Sequence, residues 1–436
     1  MTKEDVIVVG AGISGLLAAL ALSKEGRRVL IIEKSDSLGG VCRSYNVDGY
    51  QVDTGPHVIT RLEQGPLKDL MAKYFDVIPN FVPHGKYYVR IKGRVRPFPW
   101  NLQGWFAFDI LPQIDRIYLM KTLFAFSYMY NTGEDLSRKS IKDIVGDGLS
   151  EPSIRFLNYV SYFLTGASIN ETPVERIMDN QSYKNRSTNI FETLSNFLMK
   201  EGATDQSYVK GGLQSIVTAT VSSMPHGRVE IKTCEEAVRL YPSQKKLETN
   251  NGEYTYNTLI YAGYVSDIPK MTDEVPGDYA ESLRRLPKAN SLTIWLGLRE
   301  NIFKLQGSEF WIDPDPYVWA LPISNYDPNL APKGKQLIGF AFTPRDEDFE
   351  RGKKKGMEAI LSTMPEIEDN IEMTHYQNLI PEKAAWTTKA APADVKTPMD
   401  GVYFVGTDTE KRSAGVAKAA YSVLNLLEVL RRDKVR

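Results

Sequence analysis

Gly10, Gly12 and Gly15 stand at GxGxxG spacing, and Glu33 follows about 20 residues further on. These residue types at this spacing suit the binding of a dinucleotide. Gly10 permits a tight turn, Gly12 lets the backbone approach a pyrophosphate, and Gly15 lets a helix pack closely on a strand. A helix starting after Gly12 would direct its free N–H groups at the phosphates. Glu33 can accept hydrogen bonds from a ribose 2′-hydroxyl, and its charge would repel the 2′-phosphate of NADP.

Those residues need elements that hold them in place. Val6 to Val9 is a short β-branched run, the pattern of a buried parallel strand. Leu16 to Lys24 is rich in Leu and Ala and reads as a helix, with Gly26 as its stop. Arg28 to Ile32 reads as a second strand, closed by Glu33. A bare glycine motif is weak evidence, and an ordinary glycine turn is its bland explanation. Strand, helix and acid in the required order favour the nucleotide.

The next stretch, "LGGVCRSYNVDGYQVDTGPHVIT" (Leu38 to Thr60), resembles the second signature of the flavin amine oxidase superfamily. That group includes protoporphyrinogen oxidases and phytoene desaturases. Gly39, Gly40, Arg43, Ser44, Asp53, Gly55 and Pro56 match. Val41 stands where many members carry Arg directly after the glycine pair. Arg43 lies two residues further on, as in the protoporphyrinogen oxidase branch. The resemblance implies non-covalently bound FAD, with Arg43 near its pyrophosphate. Ile13, Ser14 and Lys34, beside the first motif, join the expected cofactor contacts.

The chain has 436 residues, 42% hydrophobic and 25% charged, an ordinary globular composition with room for two domains. A net charge of −1 gives no field that would gather nucleic acid. Cys42 and Cys234 form no CxxC and no disulfide framework, which fits a reducing, cytoplasmic setting. His57, His84, His226 and His375 are scattered, so no metal site is expected. No signal peptide is expected before the first strand, and no 18-residue apolar run reads as a membrane span.

Further along, "KYYVRIKGRVRPFPW" (Lys86 to Trp100) reads as a hairpin around Gly93. From Asn101 to about Met199 the pattern is mostly helical. A glycine pair and helix follow at Tyr208 to Met224, then three or four strands to about Gly263. Strands at "SLTIWLGL", "SEFWIDP" and "KQLIGFAFT" precede a solvated, charge-rich helix. Asp400 to Leu430 repeats the order strand, glycine loop, helix. The resemblance accounts for this interleaving over nearly the whole chain. It implies an α/β fold: a Rossmann-like FAD domain from residues 1–85, 205–265 and 385–436. An α+β substrate domain would come from 86–204 and 266–384. In this scheme Val238 brackets the adenine. Gly406, Gly415 and Val416 cover flavin and pyrophosphate, and Thr407 or Asp408 faces the ribitol. The helix opening at Gly415 would point its N–H groups at the flavin, where reduction places negative charge.

Flavin chemistry on an apolar substrate needs little from side chains beyond positioning and exclusion of water. His57, in a loop that the resemblance sets beside the flavin, is a candidate proton shuttle or ring-orienting group, with a structural histidine as the plain alternative. Arg61 is a second, weaker candidate. Cys42 is expected to be a packing residue. Asp115 to Tyr130 is apolar on nearly every face, so it is expected to be buried, to line the substrate cavity, or to touch a membrane peripherally.

The favoured function is hydride transfer between FAD and an apolar isoprenoid, polyene or tetrapyrrole-like substrate. The acceptor that reoxidises the flavin is left open among oxygen, a quinone and another protein. Two rivals stand beside it. "GPHVI" and "GRVRPFPWN" also resemble UDP-galactopyranose mutases, in which Arg90, Arg94 and Arg96 would hold a diphosphate. Escort proteins and GDP-dissociation inhibitors share the fold and bind prenyl groups without flavin, a reading that the intact glycine motif and Glu33 oppose.

Overall fold

The computed structural model describes residues 2–178, 205–343 and 348–435. Two seven-stranded sheets organise these residues. The first contains β1 (Thr2–Val9), β2 (Val29–Ile32), β9 (Val229–Lys232), β10 (Ala237–Tyr241), β11 (Lys246–Thr249), β12 (Glu253–Tyr261) and β18 (Val402–Phe404). β9, β2, β1 and β12 lie parallel and side by side, and β18 joins the end of β12 in parallel. β10 and β11 fold back antiparallel on the start of β12.

β2 and the Val6–Val9 half of β1 are apolar throughout because both faces are covered there. One face carries α1 (Ile13–Lys24), α2 (Pro66–Tyr74), α8 (Gln214–Ser222) and α12 (Gly415–Val435). Its small Ala and Ser positions let α1 be buried along nearly its whole length. The opposite face is packed by α9 (Ile268–Met271) and α10 (Gly277–Arg284), whose Ile268, Met271 and Leu283 join Leu259 and Tyr261. Residues 268–286 side with the first sheet, because the apolar face of α10 completes its lower layer.

The second sheet runs in the order β17 (Ile371–Glu382), β13 (Ala289–Leu298), β16 (Gln336–Phe342), β15 (Val318–Leu321), β14 (Gly307–Trp311), β6 (Lys86–Ile91), β7 (Arg94–Pro97). Only the β14–β6 pair is parallel. β6 and β7 are the hairpin read from the sequence, with Lys92 and Gly93 at positive φ in its turn. The charge-rich α11 (Phe349–Thr363) packs Ala359 and Ile360 on this sheet and leaves its charges outward. Helices α3 (Leu102–Ala107), α4 (Gln113–Asn131), α5 (Ile141–Val145), α6 (Glu151–Thr165) and α7 (Val174–Met178) gather around Val89 and Phe310. The remainder of the expected helical stretch, 179–199, lies outside the described residues. Two small antiparallel pairs connect the units: β3 (Ser44–Val47) with β4 (Tyr50–Asp53), and β5 (Phe81–Pro83) with β8 (Ser207–Val209). Among the described residues no helix is long and apolar enough to cross a membrane.

Candidate functional site

The glycine turn sits at the C-terminal edge of the first sheet. Gly10 adopts φ +100° and donates its N–H to the Ile32 carbonyl at 2.8 Å. A Cβ on Gly15 would lie 2.1 Å from the Gly10 carbonyl oxygen, so only glycine allows this approach of helix to turn. Gly12 caps α1, and a side chain there would project into open space, which leaves room for a phosphate above Ile13 and Ser14. Gly39 pairs with Gly12 through an isolated bridge, and Gly40 approaches the Gly12 Cα.

Glu33 is buried, and its carboxylate braces the turn. Oε2 accepts from the Ala11 N–H at 2.7 Å and Oε1 from the Ser35 N–H at 2.8 Å. Lys34 points to solvent. Val238 is 51% exposed on β10, whereas the Glu235 N–H meets the Glu33 carbonyl at 2.9 Å. The chain thus passes Glu33 in the connection between β9 and β10, three residues before Val238.

Asp53 organises the second loop. Fully buried, it accepts from the Ser44 hydroxyl, the Tyr208 hydroxyl at 2.6 Å and the Leu213 N–H at 2.9 Å. Ser44 also accepts from the Gln214 N–H, so it fastens β3 to α8. Arg43 donates from Nη1 to Ser37 at 2.6 Å, beside Gly39. Gly55 adopts φ +77°, and its N–H is held by the Gln377 side chain at 2.9 Å, which also takes the Trp295 indole N–H. This fixes Pro56 and His57 at the cavity wall. His57 Nδ1 lies 3.3 Å from the Gly55 carbonyl. Burial lowers the His57 pKa, against the raising effect of Asp53, so the ring is neutral near pH 7. Arg61, in a positive-φ turn, lies over the Tyr421 ring and does not line the cavity. Cys42 lines it but is buried, with its thiol pKa pushed up by desolvation, consistent with packing.

The last segment closes the site. Gly406 takes φ +152°, and a Cβ there would lie 2.6 Å from Asp408 Oδ1. Thr407 accepts from the Lys383 N–H at 3.0 Å. Asp408 accepts from the Val265 N–H at 2.9 Å, and desolvation raises its pKa. The Lys383 ammonium donates to the Ala262 and Gly263 carbonyls, and desolvation lowers its pKa. Gly415 and Val416 open α12 at the cavity wall.

These loops border a cavity of about 750 Å³ that extends from Ile13 and Gly415 to the helices over the second sheet. Its far wall is aromatic, formed by Phe98, Trp100, Phe156, Tyr159, Phe163 and Phe310 in edge and tilted contacts. Leu119, Leu123 and Phe126 of α4 contribute to it. The outward side of α4 is also apolar, with Ile114 81% exposed and Ile117 and Tyr118 beside it. The expected all-apolar helix thus has two faces, one in the cavity and one in solvent.

FAD fits this groove. His57 Nε2 and Thr293 Oγ1 on its wall, and Arg43 Nε and Asp408 Oδ1 in the second and last glycine loops, are buried without a hydrogen-bond partner among the described residues. A polar ring system with ribityl and diphosphate groups offers such partners. No group of acids, histidines and cysteines among the described residues could hold a metal. The sequence reading missed Gln377, Thr293, Glu382 and Arg176. Thr293 is the one hydroxyl within the Leu292–Leu298 run of β13. The other three reach the site only through long-range pairing.

The chain is 52% identical over 100 residues to an uncharacterized protein of Methanothermococcus thermolithotrophicus, covering 23% of this chain and 96% of that one. It is 45% identical over 65 residues to human all-trans-retinol 13,14-reductase, 15% of this chain and only 11% of that protein's length. It is 21% identical over 388 residues to 4,4′-diapolycopen-4-al dehydrogenase of Metabacillus indicus, covering 78% and 74% of the two chains. In fold it is similar to an oxidoreductase from Methanosarcina mazei, with a TM-score of 0.79 at 21% identity over 98% of this chain and all of that one. A reduced UDP-galactopyranose mutase aligns with a TM-score of 0.69 at 15% identity, covering 98% and 96%. Residues 13–422 match the family described as flavin containing amine oxidoreductase, and the chain belongs to that family as an FAD-dependent oxidoreductase.

Proposed function

We propose that this oxidoreductase transfers hydride between FAD and a long or polycyclic apolar substrate, of polyene or tetrapyrrole type, bound against the aromatic wall. The observation that carries the reading is the continuity of that wall with the Gly55–His57 and Gly415 loops in one cavity of about 750 Å³. The polyene and retinoid substrates named for two relatives point the same way. FAD, when bound, supplies the hydride donor or acceptor.

The chain's own residues then have separate tasks. Gly10, Gly12, Ile13, Ser14 and Gly15 hold the diphosphate on backbone N–H groups, with Arg43 as counter-charge. Glu33 serves the adenosine ribose, and Thr407 and Asp408 the ribityl chain. Neutral His57 fixes the orientation of the ring and the substrate rather than carrying charge. The aromatic wall excludes water and binds by apolar burial, at about 25 cal/mol per Å². Residues 1–85, 205–286 and 385–436 form the cofactor unit in this scheme, the rest the substrate unit. The bare face of α4, together with Phe106 at 61% exposure, would rest on a lipid surface from which such a substrate is drawn.

The mutase alternative loses its anion site. Arg90 forms a bidentate pair with Glu309 at 2.7 and 3.1 Å, and Arg94 and Arg96 both pair with Asp109. The test is anaerobic mixing of the oxidised and dithionite-reduced protein with polyenes, porphyrinogens, amines and UDP-sugars. Change of the flavin spectrum with polyenes or porphyrinogens supports the reading; change with small amines alone overturns it.

A further inference from the structure

Helix α12 begins at the cavity wall, where its free N–H groups and positive dipole end would stabilise negative charge on a reduced flavin. In this structure that end is already engaged. Glu382, the last residue of β17, accepts the Gly415 N–H on Oε1 at 2.6 Å. Its Oε2 lies 3.0 Å from the ammonium of Lys418, one turn into the helix and only 5% exposed. Glu382 lines the cavity with Thr407, Gly415 and Val416. Arg176 lines it too and donates to the Ser413 carbonyl at 2.6 Å. A carboxylate thus stands among the positive charges at the start of α12.

We infer that Glu382 sets the reduction potential of the bound flavin, holding it more negative than the helix end and Lys418 would by themselves. The inference rests on the cofactor placement above. Reduction adds negative charge to the flavin, and a fixed carboxylate nearby opposes that charge while Lys418 favours it. A more negative potential makes the reduced cofactor the stronger hydride donor. Glu382 acts here as a positioning and tuning residue, not as a group that moves the substrate proton.

The experiment is spectroelectrochemical titration of the purified holoprotein. Glu382→Gln keeps an oxygen for the Gly415 N–H but removes the charge. It should raise the two-electron midpoint by at least tenfold in the reduction equilibrium, which is about 30 mV. Lys418→Met should lower it. FAD content of Glu382→Gln should stay near that of the parent, with a lower melting temperature because Lys418 loses its counter-charge. A midpoint in Glu382→Gln that is unchanged or more negative overturns the inference, as do shifts of both variants in one direction, which would mean only disturbed packing. A parent protein that purifies without flavin would instead defeat the cofactor placement, and so the two failures are distinguishable.

Discussion

The cofactor cradle and the substrate cavity share a wall but are built by opposite means. The cradle is mostly backbone: a turn at Gly10, an open position at Gly12, a contact at Gly15 that no Cβ survives, and one buried acid that braces them. The cavity is mostly side chain, and the wall of Phe98, Trp100, Phe156, Tyr159, Phe163 and Phe310 is contributed by three separate stretches of the chain. A backbone device tolerates almost no substitution and is written in glycines. A side-chain device tolerates exchange of one large apolar residue for another and leaves no fixed motif. Mutations should therefore separate the two regions sharply.

The largest effect should come from Gly15→Val. Its Cβ would overlap the Gly10 carbonyl, so little soluble flavin-bearing protein should be recovered; normal expression with full flavin content would break the comparison. Next, Gly12→Asp has space for its side chain but fills the phosphate position with like charge. It should fold, with a melting temperature near the parent apoprotein, and bind little FAD, as read by flavin absorbance per chain. Glu33→Ala removes the acceptor of the Ala11 and Ser35 N–H groups and should weaken FAD by on the order of 1.5–3 kcal/mol, measured by titrating apoprotein.

On the cavity side, Phe126→Glu should raise the KM for apolar substrates and leave flavin content intact, at roughly 0.8 kcal/mol or fourfold for each substrate methylene that the wall no longer buries. Ile117→Glu, on the outward side of the same helix, should leave KM for detergent-dispersed substrate unchanged and weaken flotation with phospholipid vesicles. Equal effects of the two on KM would show that α4 does not divide cavity from surface.

A further expected signal is a pH dependence of stability. His84 is fully buried between Tyr87 and Tyr326, and burial holds its pKa down to about 3 from an ordinary 6.5. The folded state thus binds this proton less readily than the unfolded chain. The contribution of His84 is fully present above pH 6.5 and is lost as pH falls toward 3, by up to about 1.4 kcal/mol per pH unit. Denaturant melts of the parent and of His84→Asn, compared between pH 7 and 4, check this. The slope should be shallower in the variant.

What the sequence made legible follows the same division. The turn, α1, Glu33 and the final glycine loop could be read because local backbone demands fix residue type and spacing. How the chain runs from Glu33 past Glu235 into β10 could not be read, because no local pattern records that contact. That Arg61 sits in a positive-φ turn over the Tyr421 ring could not be read either, since Tyr421 lies 360 residues further along the chain. Gln377 and Glu382 were invisible, since they reach the site only by the pairing of β17 with β13, more than 70 residues earlier in the chain. The aromatic wall could be counted in the sequence but not told apart from ordinary core.

The central claim is that one cavity brings an apolar substrate to the flavin. Its most direct measurement is an anaerobic titration of the flavin-loaded protein, in its oxidised and reduced forms, with a polyene or porphyrinogen, carried out in parallel on Phe126→Glu. The account predicts stoichiometric change of the flavin spectrum in one redox direction for the parent, and the same final change at much higher ligand concentration for the variant. No spectral change with any apolar compound, alongside rapid bleaching by a small primary amine, would contradict it.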